Sequence, residues 1–516
     1  WIVLSLLSGM LSVGGVFGVT TTGWADAEKR VALPSGLFEG SSNFELRYET
    51  GLLDPASLSG SALGVDLFDA GKAFGRAEKI SIVSTGTLKG GNLVIEELVI
   101  DGLSLFDEGG GRLGIERLKM ASSGTWASGN LVIETLEVDG FDMKHENSSG
   151  ISVRTALMKT LSVGELMAAG EKLSTVAKGR LESLDIEALQ RGDIGAMDLE
   201  QLLALVTSVN DIAGALDGFD LTLNEIRWAD DLQSGSLGKV TFGVRDGFWL
   251  PEFSVESLKT DSGGEMAVEM EALRFNIEGS LDSRLSALFE IVGLALRPGE
   301  TAGQSVRDIF ETLDREGVTI DFGTQFISTV DQEGVLSEVN LAFGVPELMG
   351  LKLESAARSP TSQFAMFDAS IFSGLTPEES EVVIQKIWSQ DLEHALLTLT
   401  NWNVVDILLK KFAEEGGQSE EQLRMTGEMM INMFVGRGTP ALAEASDALV
   451  AFLKTPGTLQ VSFRPPKPLP APDTPEFNAL VANPAALVEA LGLSVKFLDE
   501  PMSIESHRLT QTEGLT

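Results

Sequence analysis

The chain has 516 residues, with 76 Asp plus Glu against 38 Lys plus Arg and a formal charge of −38. That two-to-one acidic excess excludes a nucleic-acid binder, whose phosphate-tracking surface needs clustered Lys and Arg. A disordered acidic chain is excluded as well, because 43% of the residues are hydrophobic, enough to build a core.

In chain order, residues 1–19 carry no charged side chain, and the first ionisable one is Asp26. Ala25-Asp26-Ala27 then has the small-x-small pattern that a signal peptidase reads, so residues 1–27 are expected to be a signal peptide cleaved near Ala27. With no basic residues or initiator Met ahead of it, a few upstream residues are expected to be missing. The alternative is an N-terminal anchor in the inner membrane, since about 20 apolar residues can span a bilayer. Either way residues from 28 onward are expected outside the cytoplasm, in the periplasm or secreted. The chain has no Cys. Disulfides, thiolate chemistry and lipoprotein acylation are therefore excluded, and an exported chain of this size without disulfides points to a bacterial envelope.

A strand unit then repeats. TGTLKGGNLVIEELVIDG (85–102) recurs as SGTWASGNLVIETLEVDG (123–140), with Gly, Asn, Leu-Val-Ile-Glu and Asp-Gly in register. A shorter form, apolar-acid-x-apolar-x-apolar, starts at Ala77, Ile95, Ile115, Ile133, Leu181, Val255 and Met270, with a variant at Leu223. Its second half alternates with period two, as a half-buried strand does. The first apolar residue sits three places before the second, which predicts a bulge or bend. Asp101-Gly102 and Asp139-Gly140 read as hairpin turns. Residues from about 37 to 280 are thus expected to form many short, mainly antiparallel strands.

Covering helices are expected at 200–216, at about Leu281 to Leu296, and at 303–315, where Val306, Ile309, Phe310 and Leu313 share a face. Strands are expected at 318–329, 336–345 and 363–372. From Thr376 to Lys454 the pattern reads as about four helices, broken near Gly416-Gly417 and between Gly436 and Pro440. A strand at 459–463, a Pro-rich connector at 464–475, a short helical region and a polar tail complete the chain. The expected fold class is α+β: an extended, mainly antiparallel sheet of repeated short strands, with covering helices and a C-terminal helical block. The expected divisions are 1–27, 28–290, 291–375, 376–456 and 457–516.

Chemistry-bearing patterns are few. No Walker loop, GxSxG, HExxH or calcium loop occurs. Gly109, Gly111 and Gly114 spell GxGxxG, but a copy of the strand unit follows where a dinucleotide site needs a helix, so this reads as a hairpin loop. Glu96, Glu116, Glu134 and Glu182 would form a cation ladder if their strands stacked in register, or a solvated sheet face. His145 beside Glu146 suggests acid–base chemistry only if both side chains share a face, which adjacent strand residues do not. Trp126, Trp228, Phe248 and Trp249 read as core or as a ligand rim. Met425, Met429, Met430 and Met433 lie at helical spacing; Met425, Met429 and Met433 make a stripe suited to helix packing or to a hydrophobic ligand or partner helix. No cofactor, metal or catalytic residue is expected.

Short strands of the form IEELVIDGL behind an N-terminal apolar segment resemble the AsmA-like and YdgA-like envelope proteins of Gram-negative bacteria, over roughly residues 1–290. The resemblance implies a periplasmic, mostly β protein, tethered at its N-terminus and in some members linked to lipid traffic; no functional residue carries over. A cleavage site and a helical block at 376–454 depart from that pattern. The function expected is a non-enzymatic periplasmic protein presenting the apolar face of its sheet to lipid or to another envelope protein, without nucleic acid and without strong binding to anionic membrane surfaces. The alternatives are a secreted carboxylate-dependent hydrolase and a structural or adhesive surface protein.

Overall fold

The computed structural model describes residues 29–32, 44–69, 71–87, 92–106, 111–125, 131–144, 149–163, 218–229, 233–244, 251–260, 263–280, 283–313, 315–360, 391–435, 439–470 and 474–503. Within them the fold is α+β and dominated by antiparallel sheet. The chain divides into two compact units, Trp1–Asp261 and Ser262–Thr516.

The first unit is an antiparallel meander. It runs β1 (Lys29–Ala32), β2 (Phe44–Leu53), β3 (Gly60–Asp69), β4 (Lys72–Thr85), β5 (Val94–Phe106), β6 (Arg112–Ser123), β7 (Val132–Lys144), β8 (Gly150–Ser162), β9 (Asp220–Ala229), β10 (Ser234–Val244) and β11 (Pro251–Thr260). Each strand pairs with the next. One face carries a single core cluster that includes Tyr48, Val65, Ile80, Ile115, Ile133, Phe141 and Val153.

The repeat now has a physical reading. Opposite β4, Ser84 pairs with Ile95 while Val83 pairs with Glu97, so Glu96 is the extra residue of a bulge. Glu134 is the extra residue of the same bulge between β6 and β7. The bulge expected from the three-residue spacing is therefore present at the second position of both full repeats.

The hairpin turns expected at the Asp-Gly pairs are corrected. Gly102 and Gly140 lie inside β5 and β7, in the left-handed region at φ 62° and 63°. They belong to a row that crosses the unit: Glu49, Gly64, Glu78, Gly102, Glu116, Gly140, Arg154, Glu225, Gly238 and Ser257 on β2 to β11. At every strand pair the ladder skips this row and resumes in unchanged register. The left-handed residues are those of the odd strands, Gly64, Gly102, Gly140, Glu225 and Ser257. Core residues step by three across the row, from Ile100 to Leu103, Ile115 to Leu118, Val138 to Phe141 and Leu223 to Ile226. The row resets the in–out phase of all these strands together, which is how the apolar set stays on one face despite the break in alternation.

The second unit is also a meander: β12 (Met266–Gly279), β13 (Arg284–Pro298), β14 (Val318–Asp331), β15 (Gly334–Val345), β16 (Met349–Ser359), β17 (Asp391–Asn401), β18 (Gly457–Phe463) and β19 (Ser494–Leu498), paired in sequence order. Its described helices are α1 (Gln304–Thr312), α2 (Val404–Gly416), α3 (Glu420–Phe434), α4 (Pro440–Lys454), α5 (Pro475–Val481) and α6 (Pro484–Leu491).

Two helical expectations are overturned here. Residues 281–296 fall largely in β13, whose apolar residues occupy both parities, a pattern that fits a helix or a strand flanked on both sides by other strands. The stretch 376–454 holds β17, where LLTLT alternates with period two and pairs on both edges. The helix at 303–315 is α1, but only Phe310 is buried and Ile309 is exposed. β19 was not anticipated. The segments 1–27, 200–216 and 363–372, the copy at Leu181, and Thr376 lie outside the described residues, as does the tail from 504.

Candidate functional site

The second unit carries a one-sided sheet. Cross-strand pairing places Phe322, Phe343, Leu351, Leu399, Leu459 and Phe497 in one lane across β14 to β19. Beside it runs Thr324, Leu341, Leu353, Leu397, Val461 and Val495. The residues between them, on the opposite face, are Gly323, Ala342, Lys352, Thr398, Gln460 and Lys496. Alternation along each strand thus separates two apolar lanes from a small or polar face. Five strand spacings of about 4.8 Å make each lane about 24 Å long, longer than the roughly 15 Å of hydrocarbon in one leaflet, half of a bilayer's apolar core. The lanes are unequally covered. At β18 and β19, α4 packs on them, and Ala445, Ala448, Leu459 and Val495 are buried together. Leu399 of β17 and the half-buried Val461 and Phe497 pack against this cluster, while over β14 to β17 the lane residues Phe322, Leu341, Phe343, Leu351, Leu353 and Leu397 are only half-buried.

The lanes meet a bulge at their other end. Val292 and Gly293 of β13 oppose Asp321 of β14, with Gly293 at φ 62°. The Gly293 amide donates to the buried Asp321 carboxylate at 2.8 Å. Phe289 and Phe322 meet edge to face at 5.9 Å beside this bulge.

The methionine stripe lies on α3. Ser419 caps this helix: its hydroxyl accepts from the Gln422 amide while the Gln422 side chain accepts from the Ser419 amide. One face of α3 is fixed to α4. Arg424 donates to the Leu453 carbonyl at 2.5 Å, Ser446 donates to Asn432 at 3.0 Å, and Lys454 pairs with Glu428 at 2.7 Å. Arg424 also pairs with Asp406 of α2. Met425, Met429 and Met433 are 64%, 63% and 64% exposed, and Met430 is 47% exposed. The helix-packing alternative for these residues does not hold in the described structure.

Among the described residues, the remaining candidates are not brought together in one place. Glu96 and Glu134 sit at separate bulges, and Glu116 lies over Gly140, where its Cγ would be 2.3 Å from an added Cβ. Glu182, His145, Glu146, Trp126, Phe248, Trp249 and Gly109 lie outside the described residues. Trp228 lies against Gly235 of β10. Among the described residues, no group of three or more His, Asp or Glu side chains is placed to hold a metal ion, and no helix is long and apolar enough to cross a membrane. Carboxylates do converge on Arg358, which reaches Asp331 at 2.8 Å, Glu393 at 2.9 Å and Glu333 at 3.9 Å. The Arg358 hydrogen bond holds the Asp331 carboxyl below its ordinary range, and Asp331 and Glu393 raise Arg358. Through these ion pairs Arg358 bridges β14, β16 and β17.

A family model described as "Uncharacterized protein" matches residues 346–497, which takes in β16 to α6 and most of β19. No curated protein matches the chain. The match spans β16 to β18 of the lanes, helices α2 to α6 and the methionine stripe.

Proposed function

We propose that this chain is a non-enzymatic periplasmic envelope protein, of the AsmA-like or YdgA-like kind, that holds a lipid or another hydrophobic ligand against the apolar lanes of its second unit. The observation that carries this reading is the contrast between the two ends of the lanes. Under α4 Leu459 and Val495 are buried, with the half-buried Leu399, Val461 and Phe497 packed against that cluster, whereas over β14 to β16 every large aliphatic or aromatic lane residue is only half-buried. Fully burying a Leu or Phe side chain is worth about 1.5–3 kcal/mol over leaving it exposed, so an apolar ligand lying along the lanes gains free energy from surface that the fold leaves partly wet. The uncharged N-terminal segment supports an extracytoplasmic location. The strongly acidic surface argues against adhesion to anionic bilayers and in favour of a ligand held on an interior face.

Native mass spectrometry of protein purified from its own host tests this reading. The expected result is a population of protein carrying lipid in roughly molar amounts, released by organic solvent. Protein that is uniformly free of lipid and other apolar ligands would overturn it.

A further inference from the structure

We infer that α2 and α3 present a second, separate docking surface whose partner is a basic amphipathic helix. Three observations carry this. First, the apolar side chains are displayed at helical spacing on both helices: Met425, Met429 and Met433 one turn apart on α3, and Leu408 and Phe412 one turn apart on α2, at 44% and 56% exposure. Second, the display is rigidly backed. Capping by Ser419, the bond from Arg424 to α4, the bond from Ser446 of α4 to Asn432, the Asp406–Arg424 pair, and the bond from Lys411 on α2 to Thr312 on α1 tie these helices to one another and to their neighbours. The methionines are therefore not a loosely packed core waiting to close.

Third, the rim is mainly acidic. Glu414, Glu420 and Glu421 are exposed at the ends of α2 and α3 that meet in the Gly416–Ser419 turn, Glu415 there pairs with Lys411 at 4.0 Å, Asp406 and Glu428 are matched by Arg424 and Lys454, and Lys410 is the exposed cation of α2. Methionine is unbranched and polarisable, so a stripe of it accommodates apolar anchors of varied shape. A helix with apolar residues at i, i+4 and i+7 fits such a face, and Lys or Arg on its flanks complements the acidic rim. An anionic bilayer does not. This surface is independent of the lipid reading, because it lies on α2 and α3 and uses none of the lane residues.

The test is fluorescence anisotropy with the full chain and two labelled 18-residue model peptides, each with a Leu and Trp face, one with Lys and one with Glu on its polar face. Neutral phosphatidylcholine vesicles form a third arm. The expected result is saturable binding of the Lys peptide, at least tenfold weaker binding of the Glu peptide, and a further tenfold or greater loss in the Met425→Ser/Met429→Ser/Met433→Ser variant. The triple Met→Leu variant should bind within threefold of the parent, which separates loss of the apolar face from loss of fold. Equal affinity for both peptides, binding unchanged in the triple Ser variant, or binding to vesicles but not to the Lys peptide would each overturn the proposal.

Discussion

At Gly140 two separate constraints act on any side chain. The backbone is at φ 63°, and an added Cβ would sit 2.3 Å from Cγ of Glu116 and 2.4 Å from its Cδ. Gly102 repeats the arrangement under Glu78, with a Cγ at 2.5 Å. The second constraint is soft, because a glutamate stem on an exposed face can swing aside. The first is not, since a left-handed L-residue costs about 1–2 kcal/mol. Gly140→Ala is thus expected to lower stability by about 1–2 kcal/mol in urea unfolding, and adding Glu116→Ala should restore less than half of that loss. A full rescue by Glu116→Ala would show that crowding, not backbone conformation, selects glycine in this row.

At the scale of the elements, the two ends of the apolar lanes should differ in mutational cost. Leu459 is 3% exposed beneath α4, whereas Leu353 is half-buried. Leu459→Ala is expected to cost about 2–4 kcal/mol, and Leu353→Ala less than about 1.5 kcal/mol in ligand-free protein, by chemical denaturation. Equal costs would mean that β16 is as well covered as β18. Much of the strand content was legible beforehand, because IEELVI and its relatives carry both the period-two signal and the three-residue step that became the bulges at Glu96 and Glu134. The Asp-Gly pairs misled because the same left-handed glycine serves a hairpin turn or a mid-strand phase reset, and only the partner strands decide which. β13 misled because RLSALFEIVGLALRP is apolar at both parities, so periodicity does not distinguish a strand from a helix. The apolar lanes were not legible at all: they arise from cross-strand neighbours such as Leu341, Leu353 and Leu397, far apart in the chain. The methionine stripe was legible as a helical face, but its exposure depends on where α4 packs.

For the whole molecule, the charge of −38 acquires a place. In the first unit acids occupy the bulges and the phase-reset row, as Glu49, Glu78, Glu96, Glu116, Glu134 and Glu225, all exposed. These positions interrupt the strands, so charge falls where the apolar face is not being built. In the proposed function, lipid binding belongs to the apolar lanes of the second unit alone. The most direct measurement places a photoreactive benzophenone amino acid at Leu353 or at Glu354, neighbours on opposite faces of β16, in protein expressed in its own host. After irradiation, the mass of the intact protein is read. The account predicts a lipid or other hydrophobic adduct at Leu353 and none at Glu354; equal labelling at both positions, or no adduct at Leu353, would contradict it.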